Sequence, residues 1–381
     1  MWASWPPAIP VLQSELGISL VQAGFLLSLV QLAGMMLGLV IGLVADGFGL
    51  RRSMATGLGV LFAAGLAGGW AHDPTSLLLL RAAEGMGFLL ATVPAPGLMR
   101  RLVAPDRLTR MLGFWAAYMP IGTALALLLG PMVIVAFGWP WWWWLTAALS
   151  GIVALWVLWQ VPPDPTSAPG STSDEPWRER LVHTVTTAGP WLGALTFALY
   201  AAQWLAVIGF LPSLYAESGW GGIRGGVLTA VVAAVNISGN IGAGWLLSRD
   251  WAPRTLMWGG FTAMAVGTFL AFGALTAGSP VARYAGALLF STLGGLIPGT
   301  LFVLAPRLAP SERTISTTVG WLQQWSSIGQ VCGPPLVAWV AIRVGGWQLT
   351  WVVTVVCCLL GATLAQGIAV NLARREGVTH S

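Results

Sequence analysis

The chain has 381 residues, 56% of them hydrophobic and only 8% charged, with a mean hydropathy of +0.77. Soluble domains carry about 25% charged residues, so this composition excludes a soluble enzyme or a nucleic-acid-binding domain and points to an integral membrane protein. The net charge of +5 rests on 18 arginines with no lysine; standing in short loops between apolar runs, they read as orientation signals.

Residues 1–10 are too short to cross a bilayer, and with no basic segment or cleavage pattern they are not a signal peptide. Full spans of about 20 apolar residues are predicted near 21–45, 54–71, 76–99, 111–136, 141–161, 189–212, 225–248, 255–277, 281–305, 315–342 and 348–370. A shift of 202 positions lays Trp2, Pro10, Glu15, Gly42, Arg52, Gly57, Arg81 and Pro96 on Trp204, Pro212, Glu217, Gly244, Arg254, Gly259, Arg283 and Pro298. An internal repeat of this length predicts two equivalent membrane halves, 1–161 and 188–381. Since Trp204–Pro212 ends a span starting near Gly189, the repeat also predicts that the first helix is truncated, leaving eleven full spans of a twelve-span scheme. Between the halves, residues 162–187 are rich in Pro, Ser, Thr and charge and read as a flexible linker.

Fourteen of the arginines fall in loops or tails on one side of this scheme, among them Arg51, Arg52, Arg100, Arg178, Arg249, Arg307 and Arg374. The positive-inside rule places that side, the linker and the C-terminus in the cytoplasm, as for a multi-pass protein of a bacterial inner membrane. The tryptophan run Trp141-Trp142-Trp143-Trp144 reads as an interfacial anchor.

Few side chains in the spans can carry chemistry. Arg81 and Glu84, three residues apart on one helical face, are natural partners. The pair serves either to couple protons or attract an anion, or simply to tie the half together. Asn236 and Asn240 stand one turn apart, opposite Gly34 and Gly38 in the repeat, which read as packing glycines. The two asparagines serve as interhelical glue or as ligand groups. Gln323, Gln324, Trp325 and Gln330 cluster in one late span and Tyr200, Gln203 and Trp204 in another, with Trp2, Trp5 and Tyr118 in corresponding regions of the first half. Amides and aromatics of this kind suit a small polar solute held at the midplane. The cysteines Cys332, Cys357 and Cys358 show no metal-ligand spacing, and no nucleotide-binding loop, metal site, cofactor motif or catalytic triad is present. Gly130-Pro131 and Gly333-Pro334 mark kinked or flexible points.

The loop Gly42-Leu43-Val44-Ala45-Asp46-Gly47-Phe48-Gly49-Leu50-Arg51-Arg52 resembles the signature of the major facilitator superfamily, and Arg81-Ala82-Ala83-Glu84-Gly85-Met86-Gly87 resembles a second pattern of that family. Gly42, Asp46, Gly49 and Arg51 match; Gly47 and Leu50 stand where basic residues are usual, and Glu84 where an amide is usual. The resemblance implies an all-α membrane fold of two parallel six-helix repeats that work by alternating access. It also implies that Asp46, Arg51 and Arg52 gate the cytoplasmic face. Span five lacks the full glycine-proline pattern of the family's drug–proton antiporters, Ala126 replacing its leading glycine. The opening Trp5-Pro6-Pro7-Ala8-Ile9-Pro10-Val11-Leu12 and Gly49-Leu50-Arg51-Arg52 are similar to the cyanate/nitroimidazole transporter branch. That implies a monomeric carrier, symporter or antiporter, for a small polar or anionic organic solute moved with protons. The alternatives are a proton-linked drug or metabolite exporter and a transport-inactive membrane sensor or scaffold.

Overall fold

A backbone lying in hydrocarbon must satisfy its own hydrogen bonds, so apolar runs of this length fold as helices. A computed structural model describes residues 20–164, 176–217, 219–220 and 222–379, and its regular elements are all helical. In chain order they are α1 (Leu20–Phe48), α2 (Leu50–Gly68), α3 (Pro74–Thr92), α4 (Ala95–Leu102), α5 (Pro105–Ala116), α6 (Tyr118–Phe137), α7 (Trp139–Gln160) and α8 (Trp177–Thr186). There follow α9 (Ala188–Glu217), α10 (Gly222–Leu247), α11 (Pro253–Phe272), α12 (Pro280–Gly294), α13 (Leu296–Leu308), α14 (Ile315–Val344) and α15 (Thr350–Thr379).

Among the described residues, ten stretches are long and apolar enough to cross a membrane, from Gln31–Phe48 to Trp347–Arg375. The predicted span near 54–71 is the 19-residue α2, which opens on Arg51 and Arg52 and is not among these ten. The expected truncation of the first helix concerns positions outside the described residues. Three predicted spans are broken helices: α3 gives way to α4 at Val93–Pro94, α5 to α6 at Ala117, and α12 to α13 at Gly295. The helices run on through Pro131 in α6 and through Pro334 and Pro335 in α14. Within 162–187, read from composition as flexible, Trp177–Thr186 is helical, with Glu179 in its first turn where a negative charge suits the helix dipole.

The helices group into two compact units. One gathers the described parts of Met1–Leu102, Leu125–Thr187 and Ala309–Gln324. Here α1 lies against the start of α14 with almost no side chain between them: a Cβ added at Gly38 would sit 2.6 Å from the Gly320 carbonyl oxygen. Such close approach through small residues is the usual way membrane helices gain packing. Asp73 accepts from the Ser76 N–H at 2.9 Å and starts α3, with Pro74 in its first turn.

The other unit gathers Val103–Ala124 and the described parts of Ala188–Leu308 and Trp325–Ser381. Its α5 meets α10 at Gly113 and Gly244, where an added Cβ on Gly113 would lie 2.5 Å from the Gly244 Cα. The α11 and α15 helices are stitched by Thr268 and Thr354, whose hydroxyls lie 2.7 Å apart.

Candidate functional site

In the first unit, Arg81 and Glu84 meet as their spacing requires: Arg81 Nη1 donates to Glu84 Oε2 at 2.7 Å, with side-chain exposures of 1% and 3%. An ion pair this dry is held by mutual compensation, and removing one partner strands the other charge at a cost of about 3–5 kcal/mol.

Two carboxylates in the same unit cap helices that are not their own. Asp46, near the end of α1, accepts from the Ser316 N–H at 3.1 Å, the Thr317 N–H at 2.7 Å and the Thr317 hydroxyl at 2.7 Å. It thus sits on the N-terminus of α14, where orphan N–H groups and the helix dipole favour a negative charge. Asp164, which composition assigns to the linker, does the same for α2: its two oxygens accept from the backbone N–H groups of Arg51 and Arg52, each at 3.0 Å. The N-cap of α2 is Gly49, with no side chain of its own and φ +108°. A Cβ there would come within 2.5 Å of Asp164 Oδ2, so glycine is required twice over. Arg101 completes the arrangement, bonding Asp164 Oδ1 at 2.9 Å and the Pro162 carbonyl at 2.7 Å. Burial works to raise the Asp164 pKa, but the N–H groups of Arg51 and Arg52 and the guanidinium of Arg101 together hold it below its ordinary value.

The side chains of Arg51 and Arg52 therefore matter less here than their backbones. The Arg51 guanidinium donates to the Leu158 carbonyl. Gly47, where the resembling motif carries a basic residue, leaves room for one from elsewhere: an added Cβ would lie 3.0 Å from Arg180 Nη2, which α8 brings to this spot. Arg100 and Glu312 form a further ion pair in this unit.

In the second unit the polar centre is neutral. Asn236 on α10 donates through Nδ2 to the Ser291 carbonyl at 2.8 Å and to the Tyr200 hydroxyl at 3.1 Å. Asn240 donates to Asn236 Oδ1 at 2.9 Å and to its carbonyl at 3.0 Å. Gln203, one turn of α9 beyond Tyr200, accepts from the Cys358 thiol at 3.2 Å. Two buried atoms on these helices have no hydrogen-bond partner among the described residues: the donor Gln203 Nε2 on α9 and the acceptor Asn240 Oδ1 on α10. Buried amides are seldom left so.

An aromatic path leads to the same place. Tyr118 stacks on Trp115 at 5.0 Å, Trp115 meets Phe302 edge-on at 4.8 Å, Phe302 meets Phe197 at 5.3 Å, and Phe197 lies 6.3 Å from Tyr200. The structure thus links Tyr118, Tyr200, Asn236 and Asn240 within one unit, where Gln203 bonds Cys358 on α15. It places the remaining predicted residues differently. Gln324 belongs to the first unit, where its Oε1 accepts from the Leu39 N–H at 2.9 Å, and Gln323 is buried in that unit as well. Trp325 belongs to the second unit, its ring 5.3 Å from that of Trp191. Trp5 lies outside the described residues. Asp164, Arg180, Ser291, Trp115 and Phe302 escaped the sequence reading. Only Asp164 left a signal there, an acid directly after a span whose side already bears an uncapped Gly49.

The fold can be matched. The chain is similar to the Escherichia coli fucose:proton symporter FucP, with a TM-score of 0.77 at 14% identity over 96% of this chain and 95% of that one. It is likewise similar to the proton:xylose symporter XylE, with a TM-score of 0.76 at 14% identity over 97% and 92% of the two chains. A curated relative, the puromycin resistance protein pur8 of Streptomyces alboniger, is 33% identical over 150 residues, spanning 39% of this chain and 30% of that protein. The family model described as Major Facilitator Superfamily matches residues 1–322. The chain belongs to the Major Facilitator Superfamily. It is a multi-pass membrane protein of a family that transports solutes and is not an enzyme.

Proposed function

We propose that the chain is a secondary active transporter that moves a small polar or anionic organic solute by alternating access, with protons as the coupling ion. The observation that carries the solute class is the neutral centre around Asn236. Asn240 Oδ1 in it, and Gln203 Nε2 one turn along α9 from Tyr200, are buried without a hydrogen-bond partner among the described residues and offer an acceptor and a donor. A buried amide left without a partner favours a solute that supplies the missing bonds, and rejects an apolar one. The printed names of the two structural neighbours, both sugar:proton symporters, are in keeping with a polar solute and proton coupling.

In this reading the buried Arg81–Glu84 pair is where proton coupling takes place. Asp46, with the segment around Arg51 and Arg52, is the gate: its bonds to Ser316 and Thr317 must break and re-form in each cycle, as residues 1–161 move against 188–381. The arginine-rich loops and the C-terminus face the cytoplasm of a bacterial cell, and the working form is a monomer. A second reading, proton-linked export of an amphipathic drug, draws on the similarity to pur8.

The test is uptake into proteoliposomes under an imposed pH gradient, after small organic anions, neutral sugars and puromycin have been screened for thermal stabilisation of the purified chain. The parent accumulates its solute, whereas Glu84→Gln loses gradient-driven accumulation and keeps solute exchange. Equal accumulation by both would remove Glu84 from the coupling step, and stabilisation by puromycin alone would favour the second reading.

A further inference from the structure

A groove of about 600 Å³ runs along the surface of the second unit between α11 and α12. Arg254, Trp258, Gly259, Thr262 and Val266 line it from α11, and Leu293 from α12. The α11 positions recur every three or four residues, so they form one stripe down the helix. From Arg254 to Val266 the stripe is ~18 Å long, close to the depth of one leaflet of a hydrocarbon core ~30 Å thick. Its walls are apolar, and its one charge, Arg254, stands at the end bordering the arginine-rich loop.

Arg254 is not spent on an acidic partner. Its guanidinium bonds the neutral Gln366 Oε1 at 3.3 Å and lies 5.3 Å from the Trp258 ring. Among the described residues no carboxylate pairs with it. Trp258 is fixed in turn by its Nε1 donating to the Ala362 carbonyl at 2.9 Å. A cation beside an anchored indole at the membrane interface, above an apolar channel one leaflet deep, has the layout of a charged head over a hydrocarbon tail.

Gly259 widens the groove, since nothing would come within 4 Å of a Cβ added there.

We propose that the groove binds an anionic glycerophospholipid of the leaflet on the arginine-rich side. Its phosphate sits on Arg254, and one acyl chain lies along Gly259, Val266 and Leu293. Free inorganic phosphate would meet the cation but make no use of the walls, and a zwitterionic lipid would fill the walls but gain less from the cation. The assignment stands apart from the transport reading and needs only that these helices span a membrane.

The test starts with the full chain reconstituted into vesicles of equal parts phosphatidylglycerol and phosphatidylethanolamine. The protein is re-extracted in mild detergent, and its bound lipid is counted by native mass spectrometry. The parent retains phosphatidylglycerol about fivefold over phosphatidylethanolamine, and Arg254→Gln brings that ratio toward one. Gly259→Leu fills open space, so it lowers retention of both lipids while the unfolding temperature stays at the parent value. An Arg254→Gln protein that keeps the parent's ratio, or a folded Gly259→Leu protein that holds as much lipid as the parent, would overturn the assignment.

Discussion

The two buried polar centres of this protein solve the same problem in opposite ways. In the first unit, Arg81 and Glu84 neutralise each other within one turn of α3, at 2.7 Å and nearly dry. In the second, neutral groups on α9, α10 and α12 share hydrogen bonds around Asn236 and still leave the Gln203 Nε2 donor and the Asn240 Oδ1 acceptor over. A closed ion pair has little left to offer a solute, but it is sensitive to any change of charge. An open amide cluster tolerates much and can trade its spare bonds. The contrast is what supports the proposal of coupling chemistry at the first centre and recognition at the second.

That assignment can be broken most sharply at Glu84. Replacing it with alanine strands a buried guanidinium and lowers stability by about 3–5 kcal/mol, whereas Arg81→Met with Glu84→Leu together recover most of the loss. Thermal unfolding of the purified variants reads both. If the double variant stays as unstable as the single, the pair is not a self-contained unit. At the neutral centre the expected effect is smaller. Interhelical hydrogen bonds in membranes average about 0.6 kcal/mol each, so Asn236→Ala, which removes the bonds to Tyr200 and Ser291, costs about 1–2 kcal/mol in unfolding free energy. Its larger consequence is for solute affinity, measured as the loss of ligand-induced thermal stabilisation. Lowered unfolding stability with ligand-induced stabilisation intact would return the asparagines to a packing role.

The smallest effect separates a surface charge from both centres. Asp164 has its pKa held below the ordinary carboxylate value by Arg51, Arg52 and Arg101. A carboxylate lowered in the folded state contributes stability above its unfolded pKa of about 3.9, and that contribution fades as the pH falls through the folded value. Asp164→Asn should therefore cost about 1 kcal/mol at neutral pH, and the gap to the parent should close below pH ~4. A gap independent of pH would mean that the amide caps α2 as well as the acid does and that packing alone is lost.

Local chemistry was legible in the chain and tertiary chemistry was not. Apolar length reveals a span, because hydrocarbon thickness sets it, and three-residue spacing reveals the Arg81–Glu84 pair, because both ends ride on one helix. The breaks at Val93–Pro94, Ala117 and Gly295 fall inside runs that keep the apolar length of a single span. Pattern marks Tyr200 and Asn236 as separate polar points in apolar helices, but only folding makes them partners across 36 residues. Asp164 is the clearest case. Its proline-rich surroundings resemble a tether by composition, yet it reaches back 113 residues to start α2. Gln324 failed in the other sense, since an amide that looks available for a solute is occupied by the Leu39 N–H.

The space above Gly47 bears on where the positive charge of this loop comes from. Because the Arg180 guanidinium occupies the volume that a side chain at 47 would need, the two positions form one steric and electrostatic slot filled from either end of the unit. A side chain placed at position 47 would therefore have to push aside the tip of Arg180, so one positive charge can reach this spot from either position.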